Sequence, residues 1–250
     1  MNDVKVTVEE SVATVTLARS AKRNALTSEM ILECQEALEQ AMADKDVRGI
    51  IVTGEGPVFS AGVDISEFSR LTPELAMTFI RLLKGLCETV RQGAKAVVCA
   101  IQGHCVGGAL EFALACDLRV ATGDAKFVMP EVQIGLPSVI DAALFVPYIG
   151  LGRTKELLLT GDPMTADEAL QYGLINRLTD ADNMLTEART LLSRVTRHHE
   201  TTIKLQKELF EVWLNKGLDA SIDYSVETFG AAFEEGVPQK FSRRWLEKRN

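Results

Sequence analysis

The chain predicts an α/β fold to about residue 195, followed by a helical C-terminal part, and three observations carry that expectation. Gly49–Gly54 and Ala96–Ile101 are short runs that are apolar almost throughout. Helical spacing alternates with them. From Ile149 onward the pattern is helical almost everywhere. Strands without a polar side belong to a sheet covered on both faces.

The elements follow in order. Val4, Val6 and Val8 alternate with polar residues, as do Val15 and Leu17 with Thr14 and Thr16, and Glu9-Glu10-Ser11 separates the two runs. That period of two predicts a hairpin. Thr27 is a candidate N-cap for a helix reaching about Met42. Gly49–Gly54 follows as a strand, and Pro73 opens a helix to about Val90. Ala96–Ile101 runs into Gly103, then Gly107-Gly108 and a helix through Cys116, and Leu118–Ala121 is a further strand. Helices are expected over 154–159, 165–172, 184–195, 201–215 and 218–235. Residues 1–195 therefore read as the core and 196–250 as a helical region, with no repeat or Pro/Ser-rich linker between them. The apolar faces of that region must pack on the core or on a neighbouring subunit.

Composition narrows the function. Hydrophobic residues make up 46% and charged residues 25%, an ordinary globular balance. A net charge of −8 with scattered Lys and Arg argues against nucleic acid as a partner, which needs a concentrated basic surface. An anionic substrate would have to be met by a few local cations. Five cysteines without a CxxC pair read as the reduced thiols of a cytosolic protein. The start of the chain runs straight into the first strand, so no signal peptide is expected. No apolar run approaches the roughly 20 residues of a membrane span.

Several catalytic motifs fail. Gly54-Glu55-Gly56 and Gly150-Leu151-Gly152 lack the third glycine of a dinucleotide fingerprint, since Phe59 and Lys155 stand in its place. There is no P-loop and no G-x-S-x-G. His104, His198 and His199 have neither triad partners nor metal-ligand spacing, so no metal is expected.

Two segments remain, Val58–Ile65 and Ala100–Glu111. Glycines at a strand-to-helix turn let backbone approach a ligand and leave N–H groups pointing outward. At a helix start such an N–H can hold a developing oxyanion. Glycines there also permit tight helix–strand packing, and by themselves they point no further. Glu111 adds to them, because a carboxyl in the apolar run Gly107–Cys116 is costly unless paired or used. Glu131 sits among Met129, Pro130, Val132 and Ile134, where it reads either as a loop or capping acid or as the second of an acid–base pair.

These segments resemble the enoyl-CoA hydratase/isomerase (crotonase) superfamily across nearly the whole chain. The resemblance runs through Lys22–Leu26, Phe59–Ile65, Gly103–Glu111, Cys116-Asp117, Pro130-Glu131, Leu159–Gly161, Ala169–Leu174 and Trp245–Arg249. It implies a spiral of ββα repeats with a helical C-terminal trimerisation region, assembled as a homotrimer or homohexamer. It also implies that the Val63 and Gly108 N–H groups form an oxyanion hole. Lys22 and Arg23 fall where the family meets CoA, in a substrate-binding set that also includes Ala61, Asp64 and Ile65. Trp245 and Lys248 fall where the family reaches a neighbour's CoA, although Phe usually stands in place of Trp245. The duller reading of Asp64, a loop hydrogen-bond acceptor, is the better one.

Family hydratases carry acids at both the Glu111 and Glu131 positions, and simple isomerases usually keep only the second. The implied reaction is syn addition of water to a trans-2-enoyl-CoA. Glu111, as carboxylate, would deprotonate the water, and Glu131, as acid, would protonate the α-carbon. No cofactor is implied beyond the CoA of the substrate. One departure stands out. After Pro137 the family has a glycine-rich loop, whereas this chain reads Ser138-Val139-Ile140-Asp141-Ala142. Bulkier side chains there could reshape the acyl pocket, and Asp141 is either a third acid or the N-terminal residue of a helix. An isomerase, a CoA-thioester hydrolase and an inactive scaffold stay open as alternatives.

Overall fold

The computed structural model describes residues 3–68 and 71–247. Its first half comprises β1 (Val4–Glu9), β2 (Val12–Leu17), α1 (Ser28–Ala43), β3 (Gly49–Gly54), α2 (Ile65–Phe68), α3 (Pro73–Arg91), β4 (Ala96–Ile101), β5 (His104–Val106) and α4 (Gly108–Ala115). Then come β6 (Leu118–Thr122), β7 (Lys126–Val128), α5 (Phe145–Thr160), β8 (Met164–Thr165), α6 (Ala166–Gln171), β9 (Arg177–Thr179) and α7 (Met184–Thr196). The chain closes with α8 (Glu200–Asn215), α9 (Leu218–Ala231) and α10 (Val237–Glu247).

The large sheet has the order β1-β2-β3-β4-β6-β9, antiparallel in the first pair and parallel beyond it. β3 and β4 are buried along their whole length, as their apolar sequences require. Their side chains alternate between two cores. Ile50, Val52, Val97 and Cys99 pack with residues of α1 and α3, while Ile51, Val98 and Ala100 pack against Ala188 and Leu192 of α7. A smaller sheet, β5-β7-β8, stands beside the first. Each turn of the chain visits one sheet, then the other, then a helix. β4–β5–α4 and β6–β7–α5 are two such turns, and β3, the Ser60 bridge to Cys105 and α3 form the one before.

α4 is held at its C-terminal end by Arg119, which is 1% exposed. The guanidinium donates to the carbonyls of Ala113, Leu114 and Cys116 at 3.2, 3.2 and 2.7 Å, and its Nε donates to Leu174 O at 2.6 Å. A cation on the last carbonyls satisfies orphan acceptors and complements the helix dipole. α8 is tied to the core by Lys207, whose Nζ donates to Val90 O, Lys95 O and Asp117 Oδ2 at 3.0, 3.1 and 2.6 Å.

Some expectations need correction. The expected hairpin forms as β1 and β2, with Val6 and Val8 exposed on the edge strand. α5 begins nine residues before the expected Thr154, with Gly150 at φ +74° breaking it in the middle. The expected helix to Glu235 stops at Ala231, and α10 follows beyond Gly236, at φ +69°. The strands of two or three residues, β5, β7, β8 and β9, were not expected at all, being too short to show a period.

Candidate active site

Asn24 organises the first wall. It is fully buried, and its Nδ2 donates to the carbonyls of Glu55, Val58 and Phe59 at 3.0, 3.0 and 3.1 Å. Ser60 Oγ donates to Asn24 O at 2.7 Å and accepts from Gly62 N at 3.1 Å. Leu26 N donates to Gly62 O, and Asp64 N to Leu26 O, both at 2.8 Å. Val63 is thereby fixed with its own N–H facing away from Leu26, and that N–H has no hydrogen-bond acceptor among the described residues.

The second wall is the turn from β5 into α4. Gly107 has φ +53°, a conformation open to glycine at little cost, and its N–H donates to Val128 O at 2.8 Å. Gly108 opens the helix, so its N–H is one of the unpaired first-turn donors. A side chain on Gly108 would meet Leu83 Cδ2 at 2.6 Å and Val63 Cγ2 at 3.2 Å. The Val63 side chain thus lies close beside Gly108. Both offer a free N–H, and the second lies at the positive end of a buried helix.

The acids complete the arrangement. Glu111 is one turn into α4 and only 3% exposed, and its carboxyl lies beside the backbone N–H groups of Val139 and Ala142, which favour its charged form. Burial, then the charges of Glu131 and Asp141, push its pKa up to about 9. Glu131 starts the turn Glu131–Ile134 and is half-buried. Its Oε1 lies against Gly107, where an added Cβ would come within 2.5 Å of it. Ser138 Oγ donates to Glu131 Oε2 at 3.3 Å, and burial raises this carboxyl too. The sequence reading put the carboxylate at Glu111 and the proton at Glu131. Burial raises the pKa of both carboxyls, and at about 9 that of Glu111 favours a proton there.

That proton makes stability depend on pH. Below pH 4.5 Glu111 is protonated whether the chain is folded or not. Between 4.5 and about 9 only the folded chain keeps the proton, so stability is lost as pH rises. From pH 6 to 8.5 the wild type should lose on the order of 3 kcal/mol more than Glu111→Gln, which keeps the neutral shape. Urea midpoints at the two pH values measure this, and parallel losses would refute the buried proton.

The segment that replaces the glycine-rich loop supplies groups that sequence reasoning missed. Ser138 meets Glu131, and Val139 and Ala142 meet Glu111 through their backbones. Asp141 is 5% exposed at the second position of the turn Ile140–Leu144, and its Oδ1 forms an ion pair with Arg91 Nε at 2.8 Å. Its carboxyl is occupied by that cation.

Of the expected binding residues, Ala61 and Arg23 line an open cleft of about 480 Å³ with Val58, His104, Val106 and Asp124. Lys22 and Ile65 are exposed. Asp64 is taken up within its loop: Arg19 Nη1 donates to it at 2.7 Å, as do Ser66 Oγ at 2.7 Å and Ser66 N at 3.1 Å. Those bonds, Arg19's first, lower its pKa to about 2. Trp245 is 56% exposed on α10, where it lines a separate groove with Phe241. Lys248 lies outside the described residues.

The chain resembles known proteins along its length. The model of the enoyl-CoA hydratase/isomerase family matches residues 7–250. The short-chain-enoyl-CoA hydratase of Clostridium acetobutylicum is 29% identical, over 100% of this chain and 96% of its own length. The crotonyl-CoA hydratase of Syntrophomonas wolfei is 30% identical, over 96% of this chain and 94% of its own. The crystal structure of an enoyl-CoA hydratase from Thermoplasma volcanium superimposes with a TM-score of 0.91 at 25% identity, covering 98% of each chain. The two-sheet spiral is the crotonase fold, and the chain belongs to the enoyl-CoA hydratase/isomerase family.

Proposed function

We propose that the chain is an enoyl-CoA hydratase, adding water across the double bond of a trans-2-enoyl-CoA to give a 3-hydroxyacyl-CoA. The observation that carries this reading is the pairing of one buried and one half-buried carboxyl with two unclaimed N–H groups, those of Val63 and Gly108. The thioester oxygen would accept from Val63 N and Gly108 N, so that negative charge arriving there as the β-carbon is attacked rests on fixed donors. Hydration removes one proton from water and delivers one to the α-carbon. Two carboxyls sharing one proton suffice for that, and they titrate as a pair rather than singly. Lys22 and Arg23, exposed beside the cleft, are the cations available to the CoA phosphates. The reaction needs no cofactor beyond the CoA of its substrate.

Crotonyl-CoA is the first substrate to test, since two relatives are named for short enoyl chains. Product analysis should find 3-hydroxybutyryl-CoA. Free acid with CoA thiol would instead identify a thioester hydrolase using Glu131, and an unchanged substrate would count against this reading.

Assembly as a trimer or a pair of trimers belongs to the same proposal. α9 exposes Val226 and Phe229 at 69% each, and α10 exposes Phe241 and Leu246 at 57% and 58%. Faces of that kind call for a partner. Sedimentation should give a multiple of three chains. Removing residues 245–250 should raise KM more than it lowers kcat, as expected of groups that bind CoA equally before and at the transition state. A fully active monomer would count against both.

A further inference from the structure

We propose that Arg91 is a positioning residue for the acid pair, clamping Asp141 so that the turn at 139–142 keeps its N–H groups beside Glu111. This rests on the reading of Glu111 as a working acid. Arg91 ends α3 and reaches two carboxylates on different elements: Asp141 through Nε at 2.8 Å, and Glu211 of α8 through Nη1 at 2.6 Å. Its Nε–H is turned off the direction of Asp141, so the contact is an ion pair rather than a linear hydrogen bond. Cys87, one turn earlier on α3, neighbours the same carboxyl. The Asp141 carboxyl is therefore held from α3 by the Arg91 ion pair.

What that grip holds is a strained turn. Ile140 has φ +40°, a conformation uncommon for any side chain and worse for a β-branched one. Such a residue persists only where its surroundings over-determine it. Val139 and Ala142 flank the strained Ile140 and its neighbour Asp141, and their N–H groups lie beside the Glu111 carboxyl. If Asp141 were released, Ile140 could relax toward ordinary backbone and carry Val139 N away from the carboxyl. Glu211 ties the same guanidinium to α8, so docking of the helical C-terminal region bears on the geometry of the acid. The charged and titratable groups around Glu111 are Glu131, Asp141, Cys87 and Arg91, with Glu211 behind Arg91.

Arg91→Ala alone would strand two carboxylates and could fail to fold. The test is therefore the triple variant Arg91→Met, Asp141→Asn, Glu211→Gln, which removes the clamp and leaves no unpaired charge. Arg91→Lys accompanies it, keeping the charge but losing the fork that spans both partners. In the substrate-free proteins, the infrared carbonyl band of protonated Glu111, assigned by its loss in Glu111→Gln, should shift or broaden in the triple variant. With crotonyl-CoA the triple variant should lose about 10–100-fold in kcat, the effect of a misplaced acid, with KM within about threefold. Arg91→Lys should fall between it and the wild type. A folded triple variant whose Glu111 band is unmoved overturns the proposal, whatever its activity. If the wild type hydrates no enoyl-CoA, the functional reading fails, and the infrared band still decides the role of Arg91.

Discussion

Glu131→Gln and Glu111→Gln should each lower kcat for hydration of a 2-enoyl-CoA by about 10²–10⁴, the usual contribution of one positioned acid or base. The expectation follows from the proton count. A lone carboxyl can take a proton from one carbon and return it to another, which is all that moving a double bond demands. Adding water demands that one proton be accepted while another is supplied, a task for two carboxyls rather than one. The variants should therefore differ on a 3-enoyl-CoA. Glu131→Gln should lose any isomerisation, and Glu111→Gln should retain much of it.

Glutamine at 111 is a conservative test. Its amide has the size and neutrality of a protonated carboxyl, so the turn at 139–142 packs beside it as before. Steady-state rates with both substrates, on variants shown to be folded, decide the matter. A Glu111→Gln protein that still hydrates at the wild-type rate would sink the two-acid mechanism. Asp141 would be a poor replacement, because its carboxyl is already paired with Arg91.

How much of this was legible in the sequence depended on the length over which each signal extends. β3 and β4 were readable because every residue in them is buried, and a strand with two covered faces has no polar side. β5, β7 and β9 have three residues each, less than two periods of alternation, and only their pairing defines them. Glu111 stood out because the rest of its helix is apolar, and burial of that whole helix is what the structure has. Asn24 did not, since a polar residue in a loop is unremarkable until the three carbonyls it serves are known. Arg91 was hidden for a similar reason. A cation in the last turn of a helix is ordinary helix chemistry, and its partners lie 50 and 120 residues away in the chain. The raised pKa of Glu111 was out of reach as well. It depends on how deeply the carboxyl is buried and on the acids beside it, properties of the assembled site and not of the local sequence.

The oxyanion reading makes a claim about one hydrogen. Gly108→Pro should lower kcat by about 10²–10³ beyond the effect of Gly108→Ala, the loss expected for one donor to a developing oxyanion. The comparison is needed because any side chain at 108 must first be accommodated. A Cβ there lies 2.6 Å from Leu83 Cδ2 and 3.2 Å from Val63 Cγ2, so both variants push on the same two neighbours. Leu83 meets the new atom with the far end of its side chain, which can turn aside at modest cost. Proline adds to this only the removal of the N–H and the ring that replaces it. Position 108 is the first residue of α4, where a helix tolerates proline because that N–H has no helical acceptor. The two variants should therefore unfold at similar urea concentrations and differ in turnover. KM should move less than kcat, since the donor acts most strongly on charge that appears only as the reaction proceeds. Equal kcat in the folded alanine and proline variants would remove Gly108 from the oxyanion hole and leave Val63 as its only remaining member.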